Sequence, residues 1–343
     1  MKSPAGPDAH AARVSWRTGL ALALGSILVT LLLVEGALRI AGFRYSLMPA
    51  VQFGWPDPQT LQSAYATDPD LFWVTKDYRE KLRNARRMHP DVIFMGDSCT
   101  EFGTYPARTL QLLSSGYGSP TSGIHVAAGG WTSEQGVAQM KRDIAPLHPK
   151  IVVVYYGWND HWIALGPSDP ELHAAHRYLW LADHLRLMQL ALKARVAMAQ
   201  RSHDRASRVP PDRYQSNLEE IARVARESGA TPVFVTAPSN YVAGHEPEYL
   251  LRRHVQRLAD VIPLHHQYIE LTRTAALNSG AFLCDAAEAF AAIPGSHDRF
   301  FKNDAIHFTA DGDQQLARIV SDCIVQAVES RKSRPVVSAT QFQ

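Results

Sequence analysis

Ser98, Asp304 and His307 are of the types that nucleophilic catalysis by a hydroxyl requires. A serine needs a base to take its proton, and the base needs a carboxylate to hold it in the right tautomer. In the stretch Pro90–Thr100, PDVIFMGDSCT, the apolar run Val92–Met95 has strand character and stops at Gly96. A buried strand ending in Gly-Asp-Ser puts a hydroxyl on a tight strand-to-helix turn at the carboxyl edge of a sheet, where open α/β folds bind ligands. Taken alone, Ser98 reads equally well as a cap for the next helix. Asp304 and His307 lie three apart in NDAIHFT (303–309), so one backbone turn can place the carboxylate at Nδ1, and Thr309 or Asp311 can cap the closing helix. An isolated Asp-x-x-His is a weak signal.

Two further stretches offer groups for an oxyanion. In Ala128-Gly-Gly-Trp-Thr-Ser-Glu134 the glycines Gly129 and Gly130 let backbone approach a ligand, with amides pointing outward at a helix start. The same residues also make an ordinary turn with Thr132 or Ser133 as N-cap. In Gly157-Trp-Asn-Asp160, Asn159 can aim its side-chain N–H at a developing negative charge, or close an Asx turn.

The elements that must position these residues alternate along the chain. Short strands are expected at 92–95, 124–128, 151–156, 232–237 and 281–284. Helices are expected over 76–87, 105–115, 134–147, 178–200, 213–228, 248–277 with a break at Pro263, and 310–329. Five apolar strands separated by helices predict an α/β fold, a doubly wound and mostly parallel five-stranded sheet flanked by helices. Each of the four chemical stretches then falls at a strand end or a helix start.

Upstream of this pattern, residues 19–34 form sixteen positions without a charge, and apolar character returns through 37–41. A helix over 19–41 is about 34 Å long, against a hydrocarbon core of ~30 Å. Glu35 and Arg39 can pair or snorkel at one end. A cleaved signal peptide is the competing reading, since Val34 and Gly36 suit a cleavage site; the length of the run favours an uncleaved anchor. Lys2, Arg13 and Arg17 precede it, against Arg39 and Arg44 beyond, a positive-inside bias that puts the main domain outside the cytoplasm. The formal charge of +2 and the lack of any nucleic-acid motif argue against nucleic acid as a partner. A hydrophobic content of 46% with 20% charged residues describes an ordered globular chain.

Taken together, GDS, the Gly-Gly turn with Thr-Ser, GxND and DxxH, in that order, resemble the SGNH hydrolase superfamily, also called GDSL esterases and lipases. The resemblance covers about Asp91 to Glu329. It implies a flavodoxin-like sheet, Ser98 as nucleophile, Gly130 and Asn159 as oxyanion donors beside the serine amide, and Asp304 and His307 as the rest of the triad. Thr309 and Gly312 fit the usual continuation. Two departures stand out: the family often has Asn at the start of its second block, where His125 or Val126 falls here, and the fourth residue of the GDSL name is Cys99. The implied organisation is a cytoplasmic tail (1–17), a transmembrane anchor (18–41), a juxtamembrane segment (42–89), an SGNH hydrolase domain (90–331) and a C-terminal tail (332–343).

The resemblance implies a serine esterase acting on O-acylated carbohydrate or on small or lipid esters, without cofactor or metal. The alternative is an acyltransferase or polysaccharide-assembly protein on the same fold. Cys99, Cys284 and Cys323 leave open one disulfide or three buried thiols. His173/His176 and His265/His266 lack further ligands for zinc and read as solvated or core histidines. The cations of 163–211, among them Arg177, Arg186, Lys193, Arg195, Arg201, Arg205 and Arg208, form either a solvated amphipathic helix pair, a lid, or a face for anionic lipid or polysaccharide. Trp158, His161, Trp162 and Tyr241 are candidates for a pocket wall or for core packing.

Overall fold

A computed structural model describes residues 15–45, 63–117, 121–164, 167–174, 181, 184–199, 206–251, 254–295 and 299–333. Lys2, Arg13, Trp55, His176, Arg177, Arg201, Arg205, Asp298 and the end of the C-terminal tail lie outside these residues. The chain divides into two compact units, one made of residues 1–46 and 180–193 and the other of everything else.

The larger unit is built on five parallel strands, β3 (Val92–Gly96), β4 (Gly123–Ala127), β5 (Ile151–Tyr155), β6 (Thr231–Val235) and β7 (Phe282–Cys284), in the order β4-β3-β5-β6-β7. Every residue of β3 and β5 is buried, as befits parallel strands covered on both faces, and their sequences VIFMG and IVVVY are accordingly apolar throughout. Alternate side chains feed two cores. Ile93, Met95, Val152, Val154 and Phe234 pack in one core with residues of the helices Tyr78–Met88 and Pro211–Glu227. Phe94, Val153, Tyr155 and Val235 pack in the other with residues of the helices Tyr105–Tyr117 and Ala310–Ser333.

The strand order reverses between β3 and β5: from β3 the chain goes to β4 on one side, then crosses back to β5 on the other. The carboxyl ends of β3 and β5 therefore flank the switch point, where a crevice opens in such sheets. Ser98 follows β3 and Asn159 follows β5.

Four local features depart from the sequence-based expectation. The helix expected over 134–147 is α-helical only for Ser133–Gln139. It continues as a π turn, Met140–Ile144, and a 3-10 turn, Ala145–Leu147, because Pro146 has no N–H for a regular helix. The helical region expected from 248 is two short 3-10 turns followed by the helix Val261–Ser279, with Pro263 in its first turn, where a missing N–H costs little. The helical region expected over 178–200 is interrupted at Leu185 and helical over Arg186–Ala199, with 178–180, 182, 183 and 200 outside the described residues. Residues 65–75, within the expected juxtamembrane segment, form an antiparallel hairpin of β1 (Tyr65–Asp68) and β2 (Phe72–Thr75). Its turn is held by Asp68 Oδ1, which accepts the Asp70 and Leu71 amides at 3.0 and 2.9 Å, and by Arg142, which pairs with Asp68 and Asp70. A disulfide joins Cys284 at the end of β7 to Cys323 in the last helix, and Cys99 is a buried free thiol.

In the smaller unit, the helix Trp16–Ile40 is 25 residues long with none of them buried, and is apolar and long enough to cross a membrane or to serve as a signal sequence. Ser15 caps it by accepting the Thr18 amide. Glu35 pairs with Arg39 at 2.8 Å and accepts the amides of Arg186 and Leu187 at 3.0 and 2.9 Å, which caps the helix that starts at Arg186.

Candidate active site

β3 ends at Gly96 because nothing larger fits. A Cβ there would collide with the Thr100 hydroxyl and come within 2.7 Å of the Tyr155 carbonyl oxygen of the neighbouring strand. Asp97 caps the short helix Ser98–Glu101, its Oδ1 accepting the Cys99 amide at 3.0 Å, and this turn presents Ser98 half-exposed at the sheet edge. Cys99 points the other way, into the second core, where burial pushes its thiol well up. It is a packing residue.

The last loop brings Asp304 and His307 to the same place. Ser98 Oγ lies 2.9 Å from His307 Nε2, and His307 Nδ1 lies 2.7 Å from Asp304 Oδ2. Asp304 Oδ1 accepts the Ile306 and His307 amides at 3.0 and 2.8 Å, so one carboxylate shapes the loop with one oxygen and meets the ring with the other. Ala305 takes a left-handed φ of 61° in this tight turn, and Tyr249 donates its hydroxyl to the Asp304 carbonyl at 2.7 Å. Burial tends to raise the Asp304 carboxyl, but the His307 ring and the two amides outweigh it and hold it below the usual range. Thr309 caps the final helix by accepting the Gly312 amide, while Asp311 pairs with Arg299, away from the imidazole.

Gly130 lies in the turn after β4 and Asn159 in the turn after β5, and the two turns are joined by a bond from Asn159 to the Trp131 carbonyl. Gly130 has φ 76°, a value that glycine adopts freely. Asn159 Nδ2 donates to Asp97 Oδ2 at 3.2 Å and to the Trp131 carbonyl at 3.1 Å. Both partners are acceptors, which fixes the orientation of the amide and sets its nitrogen between the serine turn and the glycine turn. Among the described residues, the amides of Ser98 and Gly130 donate to no acceptor. The structure thus brings together all five residues singled out in the sequence: Ser98, Gly130, Asn159, Asp304 and His307.

Buried carboxylates brace this arrangement, and the sequence did not reveal them. Asp160 Oδ1 accepts the Ser133 amide at 2.8 Å and its Oδ2 the Gly157 amide at 3.2 Å, tying the turn after β5 to the helix after the glycines. Asp169 accepts the Thr132 hydroxyl at 2.8 Å and pairs with Arg208, both side chains being 1% exposed. Arg208 is therefore no solvated cation, contrary to its grouping with the charged face of 163–211. Trp158, His161 and Trp162 are core residues, with His265 stacked on Trp158 at 4.2 Å, so their pocket-wall reading gives way to packing.

The GDSL-like lipase/acylhydrolase family matches residues 94–315, and the chain belongs to that family, whose members act on ester bonds. Similar solved structures include a lipase/acylhydrolase from Enterococcus faecalis, 15% identical over 71% of this chain and 96% of that one, with a TM-score of 0.45. A GDSL-like lipase from Bacteroides thetaiotaomicron is 16% identical over 74% and 98%, at 0.44. An acetylxylan esterase from Geobacillus stearothermophilus is 16% identical over 68% and 93%, at 0.44. No curated protein matches the chain.

Asp97 makes a pH prediction possible. Burial pushes its carboxyl up to about 7, against the pull of the Cys99 amide, the His307 charge and Asn159. An unfolded Asp releases its proton near 3.8, so between the two values the folded state binds more protons and stability falls as pH rises. Above about pH 7 the contribution levels off. Asp97→Asn removes it, and urea unfolding at pH 5 and pH 7.5 should show the variant losing less stability across that interval than the wild type. An identical change in both proteins contradicts the assignment.

Proposed function

We propose that this chain is a membrane-anchored serine esterase that works through Ser98, His307 and Asp304. The observation that carries the reading is the continuous hydrogen-bonded chain Ser98 Oγ–His307 Nε2, His307 Nδ1–Asp304 Oδ2. In this mechanism His307 takes the Ser98 proton as Oγ attacks the ester carbonyl. The tetrahedral oxyanion is met by the Ser98 and Gly130 amides and by Asn159 Nδ2. Both hydrogens of Asn159 are already engaged, by bonds of 3.2 and 3.1 Å, so one of these weak bonds is shared with or given up to the oxyanion. Protonated His307 then passes its proton to the leaving alcohol. Water enters with His307 again as base, the acyl–Oγ bond breaks, and a carboxylic acid and free Ser98 result. A hydroxyl acceptor in place of water turns the same steps into acyl transfer. The acyl carriers that suit an extracytoplasmic site are O-acylated carbohydrate and small or lipid esters.

Ser98→Ala should abolish hydrolysis of p-nitrophenyl acetate by the full chain in detergent while leaving its melting temperature within a few degrees. Asp304→Asn should lower kcat by on the order of 10³–10⁴. Asp304 uses both oxygens as acceptors, and an amide has only one, so the variant must either release the loop amides or present N–H to Nδ1. Activity surviving in Ser98→Ala would overturn the nucleophile, and a folded wild type that hydrolyses nothing would point to transfer or assembly.

The anchor reading places the amino terminus inside and residues beyond 41 outside the cytoplasm. The Cys284–Cys323 disulfide supports that side, since such bonds persist in oxidising compartments. Alkaline phosphatase fused after residue 60 should be active; an inactive fusion would put the domain in the cytoplasm.

A further inference from the structure

The oxyanion amide of Gly130 belongs to the peptide unit that carries the Gly129 carbonyl. In a planar trans peptide the C=O and N–H point in opposite directions, so whatever holds the Gly129 oxygen decides where the Gly130 N–H points. Between two glycines that plane can flip at little steric cost, and local sequence does not select the orientation. The selection comes from β2. Trp73 Nε1–H donates to the Gly129 oxygen at 3.0 Å, and Trp131 Nε1–H donates back to the Trp73 carbonyl at 2.8 Å. Both indoles are buried, Trp73 at 1% and Trp131 at 0% exposure, so each bond is shielded from competing water.

The other side of Gly129 is held from β1. Tyr65 donates its hydroxyl to Glu101 Oε2 at 2.7 Å, and the same oxygen accepts the Gly129 N–H. Glu101 sits on the short helix opened by Ser98, so its carboxylate links the nucleophile turn directly to the glycine turn, and the hairpin's Tyr65 holds that carboxylate oxygen in place. A Cβ at position 129 would lie 2.9 Å from the Tyr65 hydroxyl and 3.2 Å from Glu101, which accounts for glycine there. The hairpin lies wholly before residue 94, where the family match begins.

We propose that the β1–β2 hairpin is a positioning element of the oxyanion site, in which Trp73 aims the Gly130 N–H and Tyr65, through Glu101, fixes the peptide before it. The proposal rests on the esterase reading for its kinetic consequence and on geometry alone for the contacts. Trp73→Phe keeps a ring and loses the N–H; Tyr65→Phe loses only the hydroxyl. In the full chain, Trp73→Phe should lower kcat for p-nitrophenyl acetate by about 10–100-fold, a part of the 10²–10³ that loss of an oxyanion donor costs. KM should stay within about twofold, because the oxyanion exists only in the transition state. Tyr65→Phe should act in the same direction, and combining it with Glu101→Gln should add little, since the two act in series. Hydrogen exchange across residues 128–131 should quicken in Tyr65→Phe and in Glu101→Gln while the sheet stays protected. A wild type without esterase activity would defeat the esterase reading, and exchange at 128–131 would then decide the contacts by itself. Unchanged exchange in both variants would overturn the proposal. So would an active wild type beside Trp73→Phe and Tyr65→Phe variants with full kcat, or with losses confined to KM or matched by a fall in melting temperature.

Discussion

The 2.9 Å hydrogen bond between Ser98 Oγ and His307 Nε2 joins residues 209 apart in sequence, and most of the larger unit serves to make it possible. The serine is fixed by β3, whose last residue must be glycine so that the turn can press against β5. The histidine is fixed by a loop in which Asp304 binds two amides and the ring at once. Neither loop can drift without losing bonds of its own. That restraint is what keeps a hydroxyl and an imidazole within reach when both are partly open to solvent, Ser98 being half-buried and the His307 side chain 26% exposed.

Around this contact, charge is buried where it can organise backbone. Asp97 and Asp160 are both fully buried and both pushed up to about 7 by that burial, yet each spends its oxygens on main-chain or side-chain N–H groups at a strand end. Asp169 is buried too, and Arg208 pairs with it directly. An apolar residue in place of Asp97 or Asp160 would leave N–H groups at the carboxyl edge of the sheet without acceptors, a cost of about 1–3 kcal/mol for each buried group, and one in place of Asp169 would leave the buried Arg208 without its carboxylate. The carboxylates are therefore part of the frame that holds the loops in register.

Much of the site was legible in the sequence because its chemistry is local to strand ends. VIFMGDS announces a buried strand and a hydroxyl on the turn after it, and DAIH announces a carboxylate beside a base. Alternating strands and helices imply the parallel sheet but not its strand order, which puts Ser98 and Asn159 on either side of the switch point. What remained hidden depends on contacts between distant segments. Tyr65 meets Glu101 across 36 positions and Trp73 meets Gly129 across 56, and no periodicity encodes either. A signal for the hairpin existed: Tyr65-Ala-Thr-Asp-Pro-Asp-Leu-Phe-Trp-Val-Thr75 has a Pro-Asp turn between aromatic and β-branched runs. Nothing in the sequence separates Arg208 from the neighbouring cations that suit a solvated face, a lid or an anionic ligand; only its pairing with Asp169 makes its burial tolerable. Pro146 broke a helix whose apolar spacing looked continuous, since spacing says nothing about a missing N–H.

The central claim is that Ser98 is a nucleophile activated by His307, and covalent labelling tests it without any assumption about the natural ester. The full chain in detergent is treated with a p-nitrophenyl alkylphosphonate, and the adduct is counted by intact mass and located by peptide mapping. The account predicts one phosphonyl group per chain, attached to Ser98, with labelling slowed by on the order of 10³ or more in His307→Ala. An adduct on another residue, or equal labelling of wild type and His307→Ala, would contradict it.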